Sequence, residues 1–146
     1  MKSLLPLFLA VLLAGCASRT TGLPAPDSPV GYGWTLASIG GDPVTLPADN
    51  ARPLRLQFGA DGLSATGYSG LNGFLGRTNF DGNKLKFGPL AMTRRGGPAE
   101  LMQLENRYTA ALTSVTAWAI RDRQLVLSAG DTPVLVFEME PPRVQQ

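Results

Sequence analysis

The chain has 146 residues, with 13 Lys or Arg, 11 Asp or Glu and a formal net charge of +2. That length suits one domain with a single core, and the near balance of charge, without a basic block, argues against a nucleic-acid partner. Histidine is absent and there is one cysteine. This removes Ser-His-Asp and Cys-His nucleophilic sites and the common imidazole metal sites, so the expectation is a non-enzyme with no cofactor and no metal.

Met1-Lys2-Ser3 carries one positive side chain, and Leu4 to Leu13 is an apolar run. The run is about ten residues, roughly half of what a membrane-spanning helix needs, which favours a signal peptide over a transmembrane anchor. It ends in Leu13-Ala14-Gly15-Cys16, small residues leading straight into the cysteine. This pattern resembles the lipobox of bacterial lipoproteins. The resemblance implies cleavage before Cys16 and acylation of that residue with two or three chains, palmitate among them. One chain holds a protein to a membrane only marginally, so several meet the requirement for stable anchoring. Acylation also accounts for an odd cysteine in an exported chain. Ala17 follows it, where an acidic residue is the inner-membrane signal in many Gram-negative species. By that sorting rule the expected place is the periplasmic face of the outer membrane. Without residues 1–15, Lys2 is lost and twelve basic side chains face eleven acidic ones.

Residues 16–33 are rich in Pro, Gly, Ser and Thr, which reads as a flexible tether of up to roughly 50 Å at about 3.3 Å per residue. From Trp34 the pattern becomes that of strands, and a domain is expected over 34–140, followed by a disordered tail, 141–146. Trp34 to Ile39 precedes the breaker Gly40-Gly41-Asp42-Pro43. Leu54, Leu56 and Phe58 alternate with Arg55 and Gln57, as in a half-buried strand. Ala60-Asp61-Gly62 turns the chain into Leu63 to Tyr68; a strand region runs from Leu71 to Phe80, and Asp81-Gly82 signals a tight hairpin. Lys84-Leu85-Lys86-Phe87 alternates again.

Between Pro98 and Ser114 the period changes. Leu101, Leu104, Tyr108, Leu112 and Val115 recur at three- and four-residue steps, with Pro98 suited to a first helical turn and Glu100 to its positive end. Strands then resume over Thr116–Ile120, Gln124–Leu127 and Val134–Met139, separated by turns at Arg121-Asp122-Arg123 and Gly130-Asp131. The fold class is α+β, a mainly antiparallel curled sheet, partly open and β-barrel-like, packed on one α-helix.

Trp34-x-Leu36, Leu54-x-Leu56-x-Phe58, Gly67-x-x-Gly70-x-Asn72-x-x-x-Gly76 and Leu85-x-Phe87 occur in an order that resembles the META domain family, which includes the HslJ-like heat-inducible envelope proteins. Thr93, the helix around Glu105, Leu125-x-Leu127 and Leu135-x-Phe137 continue it, so the resemblance spans about Gly33 to Glu138. It implies a stress-related, exported or lipid-anchored domain without established catalytic chemistry. The family motif marks Gly67, Gly70, Asn72, Gly76 and Thr93 as structural or binding residues. Two positions depart. Relatives commonly have cysteine where this chain has Leu71, and another between Thr93 and Pro98, where this chain has Arg94-Arg95-Gly96-Gly97. Absence of both together is what the loss of one bridge implies.

Asn72 is the residue of most interest, either as a side-chain-to-backbone clamp at a bulge or as a ligand contact. Arg94 and Arg95 before Gly96-Gly97 are a candidate anion grip or a solubilising pair. Three functions are expected in descending order. The first is a lipid-tethered binding module, held to the membrane through Cys16, for an unidentified protein or other envelope component. The second is a carrier or sensor of an apolar small molecule, in a gap lined by Trp34, Phe58, Phe74, Tyr108 and Trp118. The last is a hydrolase using Ser69, or Asp61 with Asp81, which lacks a histidine partner.

Overall fold

The computed structural model describes residues 25–48 and 52–141. The lipobox residues Leu13, Ala14, Gly15 and Cys16, the first part of the tether and the tail after Pro141 lie outside the described residues. In chain order the elements are β1 (Gly33–Ile39), β2 (Asp42–Pro43), β3 (Arg55–Phe58), β4 (Ser64–Tyr68), β5 (Gly73–Asp81), β6 (Lys84–Met92), α1 (Ala99–Ser114), β7 (Ala117–Arg121), β8 (Gln124–Ala129) and β9 (Thr132–Met139).

All strand pairings are antiparallel, in the order β2-β1-β3-β4-β5-β6-β7-β8-β9. The last strand comes back to the first: β9 pairs with β1 from Trp34↔Met139 to Ile39↔Leu135, across a bulge between Leu36 and Ser38. The sheet is therefore curled on itself, and a bulge of this kind is the usual device for such bending. Its thinnest seam is β6–β7, joined in register only at Lys84↔Ala117. There α1, the crossover between those two strands, packs on β6.

The expected alternation decides which face is inside. Trp34, Leu36, Leu56, Phe58, Ala65, Phe74, Leu85, Leu125, Leu127, Leu135 and Phe137 meet Tyr108, Leu112 and Val115 in one buried cluster. The helix starts one residue later than its proline: Pro98 stands at the N-cap position with ψ 142°, outside the helical region. The strand expected from Leu71 starts at Gly73, because Ser69–Asn72 form a turn closed by the Ser69 N–H donating to the Asn72 carbonyl at 2.8 Å.

The packed unit also takes in residues ahead of Trp34. The Trp34 indole N–H, fully buried, donates to the Pro29 carbonyl at 2.8 Å; Pro29 is itself buried and Val30 lies against the core. A buried indole needs such a partner, and here it draws in the end of the segment read as tether. At the other terminus Glu140 accepts hydrogen bonds from Arg55 and, at 3.0 Å, from the Thr35 hydroxyl.

Tyr108 is the centre of this packing. Its ring lies 5.8 Å from that of Phe74 and 6.1 Å from that of Phe137, and its hydroxyl donates to the Arg55 carbonyl at 3.2 Å. Burial raises its pKa well above the ordinary 10.0. The folded state then keeps a proton that the unfolded chain releases above pH 10. The stabilisation is complete below that pH and is lost as pH rises toward the folded value, at up to about 1.4 kcal/mol per pH unit. Tyr108→Phe is expected to cost about 1 kcal/mol at neutral pH for the lost hydrogen bond and to remove this alkaline component. Urea midpoints measured from pH 8 to 11.5 check it: the gap between the two proteins should narrow above pH 10.

Candidate functional site

The turn from β4 to β5 is set by two glycines. At Gly67 a Cβ would stand 2.3 Å from the Arg55 carbonyl and 2.2 Å from the Phe74 ring, so neighbouring backbone approaches as only glycine allows. Gly70 has φ +102°, which an L side chain rarely adopts. The Tyr68 hydroxyl donates to the Gly70 carbonyl at 2.7 Å, and the Arg52 guanidinium stacks 3.8 Å above the Tyr68 ring.

This bend carries Asn72 inward, where it is 3% exposed. Its Oδ1 accepts from the Thr93 hydroxyl at 2.9 Å and from the Arg95 N–H at 2.7 Å. Its Nδ2 donates to the Arg95 carbonyl at 3.1 Å and to Glu105 Oε1 at 3.0 Å. Turning the amide over would set donor against donor at Arg95 and acceptor against the carboxylate, so the network fixes its orientation. The second oxygen of Glu105 accepts the Ser69 hydroxyl, whose own oxygen accepts the Asn72 N–H at 3.2 Å. Thr93 also binds Gly73 twice, its N–H donating to the Gly73 carbonyl at 3.1 Å and its hydroxyl accepting the Gly73 N–H at 3.2 Å.

Three chain segments are thus tied at one point: the 69–72 turn, the 93–97 loop and α1. Every hydrogen-bonding position of the Asn72 amide is used, which supports the clamp reading of this residue over a ligand contact. Of the motif residues, Asn72 and Thr93 share this network, Gly70 lies in the 69–72 turn, and Gly67 stands in β4 opposite Phe74. Gly76 lies further along β5, opposite Ala65 and Leu90, where a Cβ would come within 2.6 Å of the Leu90 side chain.

The partners that sequence reasoning missed are Glu105 and Ser69. Glu105 was legible in principle: it stands on the buried stripe of α1 between Leu101, Tyr108 and Leu112. A carboxylate there must find donors.

The remaining candidates are scattered. Ser69 is fully buried in the clamp. The Asp61 carboxylate accepts the Leu63 N–H at 2.9 Å within its turn, and Asp81 is exposed at the β5–β6 hairpin. Arg94 and Arg95 are exposed, and only the backbone of Arg95 enters the clamp. They border an open cleft of about 650 Å³ with Met92, Thr93 and Glu105. Among the described residues no group of three or more Asp, Glu, Cys or His is placed to hold a metal.

The expected aromatic-lined gap is corrected by the packing. Trp34, Phe58, Phe74 and Tyr108 are buried core, and Phe58 stacks edge-on against Phe80 at 5.2 Å. Trp118 is half-buried, its indole donating to the Gly82 carbonyl at 3.0 Å. The cleft between helix and sheet, about 420 Å³, lies elsewhere, between α1 and residues 42–47, lined by Ile39, Val44, Leu46, Leu101 and Leu104 among others.

The sequence profile described as META domain matches residues 28–142. The chain belongs to the META domain family. Solved structures repeat the fold. An NMR structure of a protein from Burkholderia xenovorans is 24% identical, with a TM-score of 0.63, covering 85% of this chain and 97% of that one. A second NMR structure is 25% identical, with a TM-score of 0.58 and coverage of 74% and 88%. The crystal structure of a DUF4847 family protein from Bacteroides vulgatus is 16% identical, with a TM-score of 0.56 and coverage of 75% and 93%. Comparison with curated proteins gives no match. Within the META domain, the glycine–asparagine motif is thus the turn that locks helix to sheet.

Proposed function

We propose that this META domain is the folded part of a lipid-anchored, non-catalytic, HslJ-like envelope protein. It sits on the periplasmic face of the outer membrane and serves in stress as a binding module for a protein or other envelope component. The observation that carries this is Leu13-Ala14-Gly15-Cys16 at the end of the apolar run Leu4–Leu13. The family membership and the absence of histidine from the chain support it. The curled sheet is barrel-like in this reading, its opening at the single β6–β7 pair closed by α1.

Intact-mass measurement on protein extracted from a Gram-negative envelope tests the anchor. The expected species begins at Cys16 and carries two or three acyl chains; Cys16→Ser leaves the uncleaved chain. A cleaved chain with an unmodified thiol would refute it. Crosslinking on native membranes, at rest and under heat, tests the binding role, and failure to enrich any partner in either state counts against it.

A second reading, an apolar small-molecule carrier, is favoured by one observation, the cleft of about 420 Å³ between α1 and residues 42–47. Native mass spectrometry after exposure to envelope extracts decides it; a bare polypeptide mass removes it.

A further inference from the structure

Outward positions on β4–β6 depart from the polar surface that a one-sided sheet normally shows water. Leu63, just before β4, is 64% exposed and Leu75 on β5 is 51% exposed. With Pro89 and Ala91 of β6 they line one shallow recess, and Ala91 stands opposite Leu75 in register. Large exposed leucines in one contiguous patch mark an interaction surface.

The patch has a cationic rim. Arg77 lines the same recess, and Lys86 is exposed on the same face opposite Asn79. Two acids also stand on this side. Asp61 caps the Leu63 N–H, and Asp81 stands across from Lys84 at the hairpin end. The opposite wall of the curled sheet, at β9, presents Glu138 instead.

The chain enters beside this patch. Val30 lies under the turn that carries Leu63, 3.8 Å from where a Cβ of Gly62 would stand. Roughly fourteen residues separate Val30 from Cys16, on the order of 46 Å fully extended. We infer that the Leu63–Leu75–Pro89–Ala91 face, with Arg77 and Lys86 around it, docks on an anionic bilayer surface and lays the domain against the membrane that anchors it. The chemistry is that of interfacial binding: apolar side chains reach the acyl boundary while cations meet anionic headgroups. Tethering makes this contact intramolecular, which raises its occupancy above that of the free protein.

The inference rests on the proposed lipid anchor, and the experiment separates the two. Acylated protein carrying Leu63→Cys is labelled with an environment-sensitive fluorophore, Cys16 being blocked by its lipid, and reconstituted in vesicles of phosphatidylcholine with or without phosphatidylglycerol. Intact mass first reports the anchor. Expected is a blue-shifted emission that grows with phosphatidylglycerol, falls at least threefold in Arg77→Glu/Lys86→Glu, and is absent from a label at Glu138→Cys. An aqueous spectrum at Leu63→Cys in protein of confirmed acylation overturns the docking and leaves the anchor standing. A shift that scales with protein density on the vesicle, or is shared equally by both labels, also overturns it, in favour of self-association or crowding. If the mass shows no lipid, the anchor reading has failed. The docking is then judged by co-sedimentation of the full chain with the same vesicles, where binding equal in wild type and Leu63→Asn/Leu75→Asn sinks it.

Discussion

Asn72→Ala is expected to lower the stability of the domain by about 2–4 kcal/mol. The side chain is 3% exposed and makes four hydrogen bonds to Thr93, Arg95 and Glu105. Truncation takes a partner from the Thr93 hydroxyl, the Arg95 backbone and Glu105 at once; a buried polar group left unmatched costs about 1–3 kcal/mol, less where the adjoining cleft admits water. Among the described residues, the Glu105 carboxylate then keeps only the hydrogen bond from the Ser69 hydroxyl. Asn72→Asp should be at least as damaging, because it sets a carboxylate oxygen against Glu105 and against the Arg95 carbonyl in place of the donating amide. Urea titration checks both: the midpoint should fall with little change in slope, the signature of lost stability without a changed unfolded state. A double-mutant cycle with Thr93→Ala should show strong coupling, since the two side chains share a hydrogen bond. A midpoint unmoved in Asn72→Ala would return this residue to the role of a ligand contact.

The clamp explains what the sequence made legible and what it hid. Strands with clear two-residue alternation, such as Leu54–Phe58 and Lys84–Phe87, have the inward faces expected of them, because burial on one side leaves no other register. The helix was legible for the same reason at a different period. The closure of β9 on β1 was not, since no local pattern records which distant edge a strand will meet. Asn72 stood out as unusual, but its partners lie 21 to 33 residues away in the chain. Glu105, a charge on an otherwise apolar helical stripe, was the sign that a donor would be waiting, and it went unread. The aromatic residues misled in the opposite direction. Ring count alone does not distinguish a ligand-lined gap from a filled core, and Tyr108 with Phe74 and Phe137 fills it.

Leu71→Cys with Gly97→Cys should restore a covalent form of the same clamp. The family resemblance implied cysteines at Leu71 and within the 93–98 segment, and the structure brings Leu71 and Gly97 into contact. A Cβ on Gly97 would stand 2.5 Å from Leu71 Cδ2 and 3.5 Å from Leu71 Cγ. Replacing leucine by cysteine removes the clashing Cδ atoms and leaves a sulfur near the Cγ position, within reach of a partner sulfur on residue 97. Neither Leu71 nor Gly97 has a positive φ, so both backbones accept cysteine. Closing a loop of about 26 residues restricts the unfolded chain by about 3.5 kcal/mol. In a Cys16→Ser background, which prevents mispairing, the oxidised protein should therefore unfold at a higher urea midpoint than the same chain reduced. The reduced form should fall below wild type, because Leu71 has lost its packing. Gly97→Ala alone should cost little, because its 2.5 Å contact is with a terminal methyl of the half-exposed Leu71, which can turn aside. Free-thiol titration together with the two midpoints settles the matter. A double variant that keeps both thiols under oxidising conditions would mean that the 93–97 loop stands farther from the turn than the Asn72 network holds it.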